Sequence, residues 1–353
     1  MAIFEAREFD GHEEVVFAYD SYTGLRAIIA IHSTKLGPAL GGCRMFAYAC
    51  EADAVEDVLR LSRGMTYKAA AAGVALGGGK SVIIGDPRLK KSRELLLAMG
   101  RVIERINGRY IAGEDIGTNP RDMSVIREQT KSVSCLAESD NGYGDPAPFT
   151  ALGVLQAIQA ALEAVRGSDR LKNLTVAVQG VGNVGLNLCR QLAAEGAKLV
   201  VCDSDAENAA RATSLGARIV SCDDIYTVDA DVFAPCAIGA TLNNKTIIQL
   251  KAKIVAGAAN NQLAQEHHAE LLTARGILYV PDYVANAGGL ICCAAEWYRF
   301  PRSAIRHDVL KIRETCSDII QRSIDSNQTT VMVANAFAES RLGFKSAPST
   351  QCR

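Results

Sequence analysis

The chain has 353 residues, 48% of them hydrophobic and 22% charged, with a formal net charge of −1. That length suits two domains of ordinary size, and the balance of residue types describes a globular protein with a sizeable core. A near-neutral charge gives no reason to expect DNA, RNA or an anionic membrane surface as partner. No apolar run stands out as a membrane span, and the acidic start (Glu5, Glu8, Asp10) is unlike a signal peptide, so the cytoplasm is the expected location. Eleven cysteines are scattered, with one adjacent pair, Cys292-Cys293, no C-x-x-C and no cysteine–histidine cluster of zinc spacing. They read as free thiols, mostly packed as small hydrophobes, and no metal is expected.

In chain order, residues 13–32 alternate in strand fashion and predict two neighbouring strands. Leu36–Arg44 is rich in glycine and exposed in character. Gly41 and Gly42 there could turn backbone amides towards an anionic group, or simply form a loop. Acidic residues at Glu51 and Asp53 and apolar ones at Ala54, Val55, Val58, Leu61 and Met65 predict a helix over 51–67, with Lys68 near its end. The run Gly77-Gly78-Gly79 reads as a bare turn, and Lys80 opens the strand Ser81–Ile84 behind it. A lysine desolvated in such a place can act as a base, although the same spacing also suits an ordinary surface lysine. A helix follows at about 91–107. Arg109–Gly117 then reads as a strand running into a loop, with Asp115 just past its end, where open α/β sheets bind ligands. Taken alone, such an aspartate is more often a helix cap or turn residue, so it needs a partner to matter.

The polar, Gly/Pro-rich segment Glu138–Pro148 predicts a hinge between a first domain over 1–138 and a second over 146–327. A last helix at about 328–345 is expected to pack back on the first domain. Thr150 caps a helix to about Val165. The strand Leu174–Gln179 then leads into Gly180-x-Gly182-x-x-Gly185, a helix, and the strand Lys198–Cys202 ending at Asp203. Strand, glycines, helix, strand and acid in register form a dinucleotide fingerprint. The helix start at Asn183 and Val184 would receive the pyrophosphate, with Gly182 allowing its close approach. Asp203 would bond the ribose hydroxyls and repel a 2′-phosphate, which favours NAD over NADP. Further parallel strands at 218–220, 230–237 and 252–262 end in small or amide residues. Cys236 reads as packing rather than a nucleophile, because no histidine stands near it in sequence. His267-His268 reads as a solvated helix face. Two helical stretches over 303–340 and a polar, disordered tail over 345–353 complete the chain.

Ordered motifs along nearly the whole chain carry a resemblance. They are Leu36-Gly-Pro-Ala-Leu-Gly-Gly-x-Arg44, Met65-Thr-x-Lys68, Gly77-Gly-Gly-Lys-Ser81, Glu114-Asp-Ile-Gly-Thr-Asn119, the fingerprint, Phe233-Ala-Pro-Cys-Ala237, Gly257-Ala-Ala-Asn-Asn-Gln262 and Pro281-Asp-Tyr-x-x-Asn-Ala-Gly-Gly289. In these the chain resembles the glutamate/leucine/phenylalanine/valine dehydrogenase superfamily, most of all its shorter leucine, phenylalanine and tryptophan branch. The resemblance implies an α/β protein of two domains around a cleft, one binding substrate and making oligomer contacts, the other a Rossmann-type NAD domain. It implies that Lys68, helped by the amides of Gly41 and Gly42, binds the substrate carboxylate. Lys80 would activate the attacking water, and Asp115 would shuttle protons. Asn260 and Asn261 would border nicotinamide and substrate, with Thr150, Ala237 and Asn286 on the cofactor side. The implied reaction is reversible: L-amino acid, NAD and water give 2-oxo acid, ammonium and NADH, in a homo-oligomer.

Leu40 stands where glutamate-specific relatives carry a lysine, so an anionic substrate side chain would be buried without a partner and an apolar one is expected. Gly113, alanine in many branched-chain enzymes of the family, together with pocket positions Leu290 and Cys293, favours phenylalanine or tryptophan over leucine or valine. Two rival classes remain at this stage. One is a non-catalytic NAD-binding regulator on the same scaffold. The other is a 2-hydroxy-acid dehydrogenase, which needs a histidine base that no motif here supplies.

Overall fold

Alternating apolar residues in the first part of the chain close into a mixed five-stranded sheet in the order β1-β2-β4-β3-β5. Its strands are β1 (Glu14–Asp20), β2 (Leu25–Ser33), β3 (Ala39–Phe46), β4 (Gly77–Ile84) and β5 (Tyr110–Glu114). β2 runs antiparallel to β1 and β4, whereas β3 runs parallel to β4 and β5. The helices of this part are α1 (Glu51–Ala72), α2 (Pro87–Lys90), α3 (Arg93–Arg105) and α4 (Pro120–Arg127). In this computed structural model residues 2–343 are described, and the chain divides into two units. The first takes the residues up to Pro146 with Cys292–Arg302 and, of the described residues after 337, those over 338–343. The second takes Ala147–Ile291 and Ser303–Phe337.

The strand period of two gives the first sheet two buried faces. On one, Ile29, Ile31, Met45, Ile83 and Tyr110 pack against Leu95, Met99 and Ile103 of α3 and Met123 and Ile126 of α4. On the other, Ile28, Ala30 and Val82 pack against Ala54, Val55, Val58 and Leu59 of α1. Each such side chain contributes about 1.5–3 kcal/mol by leaving water. Caps set the helix starts: Ser92 accepts from Leu95 N, and Asn119 forms a capping box with Asp122 ahead of Pro120.

Two sequence expectations are corrected here. Leu36–Arg44 is not an exposed loop, since its second half is the buried strand β3. The glycines 77–79 are not a turn either. They are the first residues of β4, fully buried, and none has a positive φ. They are bare because the strand is crowded on both faces. A Cβ at Gly78 would overlap the backbone of Thr66 in α1, and one at Gly79 would stand 2.8 Å from the Tyr110 ring.

The second unit is built from α5 (Ala147–Arg166), β6 (Thr175–Gln179), α6 (Asn183–Ala194), β7 (Lys198–Cys202), α7 (Ala206–Thr213), β8 (Arg218–Ile219), β9 (Val232–Pro235), α8 (Asn244–Ile247), β10 (Ile254–Val255), α9 (His268–Ala274), β11 (Leu278–Tyr279) and α10 (Asp282–Ala285). α11 (Gly288–Trp297), α12 (Arg302–Leu310), α13 (Ile312–Ser326) and α14 (Thr330–Leu342) follow, with most of α11 and the end of α14 counted in the first unit; three helical stretches lie after residue 300 where two were expected. The second unit's six strands are all parallel in the order β11-β10-β9-β6-β7-β8. The order reverses between β6 and β9, which makes the carboxyl ends of those strands the switch point of a doubly wound sheet. The division between units falls inside α11. Near the end of α14, Arg341 donates to the carbonyls of Ala70 and Ala71 in the last turn of α1.

Three further expectations change. Thr150 lies within α5, which begins at Ala147, and does not cap it. α5 is long and apolar enough by length and composition to cross a membrane, contrary to the first reading, yet it is a core helix packed on α6 and α13. His268 is buried, with Nε2 on Asn244 and Nδ1 on Gln265, so only His267 faces solvent. The polar tail over 345–353 lies outside the described residues.

Candidate functional site

Pleating places Leu40, Gly42 and Arg44 of β3, Gly78 and Lys80 of β4, and Gly113 with Asp115 just beyond β5 on one face, the face α1 covers. The turn after β5 is tied by Asp115 N donating to Thr118 Oγ1, which in turn donates to the Cys43 carbonyl. That turn is why Asp115 is free of capping duty: Asn119 caps α4 instead. Its carboxylate turns to the sheet. Lys80 Nζ stands 2.7 Å from Asp115 Oδ2, and Arg44 Nε donates to the same oxygen at 2.9 Å. Lys80 is buried. Gly42 is what lets the pair meet, because a Cβ there would lie 2.7 Å from Asp115 Cβ and 2.9 Å from Lys80 Nζ.

Burial pushes the Asp115 carboxyl up, but the charges of Lys80 and then Arg44 outweigh it and hold the group at about 2. It is therefore ionised at neutral pH. Its neighbour Glu114 has no such cation. Burial, then the charges of Asp145 and Asp115, push it up to about 7. Arg44 extends the network: its Nη1 donates to Asp57 Oδ2 at 2.8 Å, and the Tyr48 hydroxyl donates to the same oxygen at 2.6 Å. Lys68 stands half-buried on α1, four residues short of its end. Gly41 and Gly42 lie inside β3, paired with Ala112 and Gly113, so they act as bare strand positions, not as a glycine loop.

Sequence reading missed two residues. Arg44 was legible only as part of a motif, and its role emerges from the ion pair. Cys135 carried no signal at all: it forms a disulfide with Cys293, 158 residues away, which corrects the reading of both as free thiols. The bonded pair lies beside Gly113, where a Cβ would stand 3.1 Å from Cys135 Sγ. Burial pushes the Cys236 thiol up to about 12, in keeping with the packing role expected of it.

In the second unit the fingerprint glycines bend the chain from β6 into α6. Gly180 has φ +91°, and a Cβ on it would meet Ala237 at 2.6 Å. A Cβ on Gly185 would overlap the Gly180 carbonyl, whereas one on Gly182 would meet nothing within 4 Å. Gly182 thus faces open space at the start of α6, and no side chain caps that helix. The Asp203 carboxylate accepts from Val181 N at 2.7 Å and Asp205 N at 2.9 Å, which fixes the loop and the acid together at the end of β7. Asn183 and Val184 form the first turn of α6. Asn286 is buried, its Nδ2 donating to Ala258 O and Asn260 Oδ1 while its Oδ1 has no partner among the described residues. Asn261 is half-buried with φ +53°, and Thr150 is half-buried on α5. Leu290 is buried on α11. Open backbone at a helix start, a bare glycine and a strand-end acid fit a dinucleotide.

Residues 8–132 match the family model described as Glu/Leu/Phe/Val dehydrogenase, dimerisation domain. Residues 142–209 and 204–342 match that described as Glutamate/Leucine/Phenylalanine/Valine dehydrogenase. The chain is 48% identical to the leucine dehydrogenase of Bacillus cereus, over 100% of this chain and 97% of that protein. It is 46% identical to the phenylalanine dehydrogenase of Caldalkalibacillus thermarum, over 94% and 91%. The crystal structure of L-tryptophan dehydrogenase from Nostoc punctiforme superposes with a TM-score of 0.80 at 45% identity, covering 94% of this chain and 96% of that one.

Proposed function

The chain belongs to the glutamate/leucine/phenylalanine/valine dehydrogenase family and is an amino-acid dehydrogenase, and from that premise we propose that it deaminates an apolar L-amino acid with NAD. The products are the 2-oxo acid and ammonium, and the reaction runs both ways. The observation that carries this reading is the buried Lys80–Asp115 pair, 2.7 Å apart and joined by Arg44.

In this reading Gly180, Gly182, Asn183, Val184, Gly185 and Asp203 hold the dinucleotide, with Thr150, Ala237, Asn260 and Asn286 at its nicotinamide end. When bound, NAD takes up the two electrons and the hydrogen that leave the substrate α-carbon. Asp203, already anchoring Val181 N, meets the ribose hydroxyls with its remaining lone pairs and leaves no place for a 2′-phosphate. Lys68 pairs with the substrate carboxylate, and Asn261 orients the α-carbon. Oxidation leaves an electron-poor imine carbon, which needs a nucleophile. Lys80, paired with Asp115, orients and activates the water that adds there. Asp115 relays protons between amine, water and Lys80; held at about 2, it enters as an acceptor. The dimerisation domain matched by the first unit supports a homo-oligomer.

Leu40 and Gly113 on the same sheet face as Asp115 make the side-chain wall apolar and bare, which supports an aromatic substrate, phenylalanine or tryptophan. One observation favours a second reading, leucine or valine: the sulfur of Cys135 already fills part of the space Gly113 leaves. The test is NADH formation from a panel of L-amino acids and 2-hydroxy acids, with NAD and NADP side by side. Turnover of apolar amino acids with NAD is expected, with phenylalanine ahead of leucine. Turnover of hydroxy acids alone, or of no substrate, contradicts the proposal.

A further inference from the structure

Cys135 and Cys293 bring together two parts of the first unit that the sheet does not join. Residues 132–134 run beside β5, with Ala112 N donating to Ser132 O and Ser134 N to Ala112 O. The second half of α11 is fastened to that segment: Ser134 Oγ donates to Cys293 O at 2.8 Å, and Glu296 accepts from Leu136 N at 3.1 Å and Tyr143 N at 2.8 Å. The disulfide closes the same junction. Cys135 adopts φ +62°, a left-handed conformation uncommon outside Gly, Asn and Asp, and the hydrogen bonds of Ser134 N and Leu136 N hold the chain on either side of it. Both cysteines are buried, at 6% and 8% exposure.

The direction of Cys135 is what matters. Its Sγ stands 3.1 Å from where a Cβ on Gly113 would be, and Gly113 shares its face of the sheet with Asp115 two residues on. The apolar surface next to the charged pair is therefore Leu40, Gly113 and a sulfur bridge. A free cysteine could rotate away from Gly113. A cysteine bonded to α11 cannot, so the bridge is a rigid wall that sets how much of the space beside Gly113 a ligand can use.

We propose that Cys135, through its disulfide to Cys293, is a specificity-determining residue that limits the depth of the substrate side-chain pocket at Gly113. This rests on the functional reading above, that an apolar amino acid binds with its α-carbon at Lys80 and Asp115.

The test is a double-mutant cycle in the full-length protein, read as the ratio of kcat/KM for L-phenylalanine to that for L-leucine. Removing both sulfurs (Cys135→Ala with Cys293→Ala) raises the ratio about fivefold or more, the scale that a methylene or two of pocket volume supplies, and does so through the KM for phenylalanine. Gly113→Ala lowers the ratio in the wild type and has a much smaller effect in the sulfur-free background, because the 3.1 Å contact is gone. A ratio that moves less than twofold on sulfur removal, or a Gly113→Ala effect equal in both backgrounds, overturns the proposal. Should the double variant not fold, Cys293→Val alone breaks the bridge and keeps the helix side filled, and the same shift in ratio is expected. Peptide mapping of unreduced protein supplies an independent arm: a cross-linked fragment joining positions 135 and 293 is expected, and its absence overturns the proposal. Wild-type protein that turns over no apolar amino acid fails the functional reading itself, whereas turnover with an unresponsive ratio fails this inference alone.

Discussion

Two glycine clusters look alike on paper, and Gly182 in the second differs from the glycines of the first in what stands opposite it. Those of the first unit, Gly42 and Gly78, are bare because protein already occupies the space: Asp115 and Lys80 at one, the Thr66 backbone at the other. Gly182 in the second unit is bare towards emptiness, with nothing within 4 Å of its would-be Cβ. The first kind lets protein groups meet each other and belongs to assembly of the site. The second leaves a helix start open, as the proposed binding of a dinucleotide requires. What a glycine is for thus depends on what stands opposite it, and a run of glycines in a sequence carries no label.

The largest effect should come from the pair that the first cluster brings together. Asp115→Asn keeps the shape, loses the acceptor, and is expected to lower kcat by about 10³-fold while NADH binding, followed by fluorescence, stays within threefold of wild type. A drop in NADH affinity of the same size would place Asp115 in binding instead.

The comparison itself breaks if the two kinds of glycine respond alike. Gly78→Ala is expected to cost about 3 kcal/mol or more of stability in denaturant titration, because the obstructing atoms are backbone. Gly182→Ala should leave that titration within about 0.5 kcal/mol and weaken NAD binding about tenfold or more. Equal destabilisation by both would refute the distinction.

Acid sharpens the same contrast, because α1 and β2 bury a histidine pair. His32 is held at about 4 by burial and then by the neighbouring His12, with Asp10 pulling the other way and Arg63 adding to the depression. Its Nδ1 meets Thr66 Oγ1 at 2.8 Å, Nε2 stands 3.8 Å from Asp10, and the Tyr67 ring packs beside it. Below its unfolded value of 6.5 the unfolded chain binds this proton and the folded one does not. Stability is therefore full above that pH and falls as pH drops towards 4, by up to about 3 kcal/mol for a shift of this size. Denaturant titrations over that range should show a shallower slope in His32→Gln; an unchanged slope contradicts the assignment. The smallest effect is expected at Asp203→Asn, which keeps a bond from Val181 N but loses the charge, raising the KM for NAD about tenfold and improving use of NADP with kcat nearly constant.

Local patterns were the legible ones. The fingerprint needs only neighbours in sequence, so strand, glycines, helix and Asp203 all stand where the spacing puts them. The parallel strand order follows from the same alternation of strand and helix. What escaped depends on distance through space. The burial of Gly77–Gly79 in β4 requires Thr66 and Tyr110 to be on opposite faces, which no spacing reveals. β3 looked like a loop because bare residues suit both turns and crowded strands. His268 looked solvated because its partners Asn244 and Gln265 come from the start of α8 and from the turn before it. The Cys135–Cys293 bridge spans 158 residues, and among eleven cysteines no sequence signal selects that pair.

The most direct test of the account is Lys80→Ala assayed with and without a small primary amine. The account expects kcat to fall about 10³-fold with NADH affinity retained, and added ethylamine to restore part of the rate, since only the base is missing. Turnover within tenfold of the wild type, or a loss that follows the loss of cofactor binding and ignores the amine, would show that Lys80 is not the group that activates water.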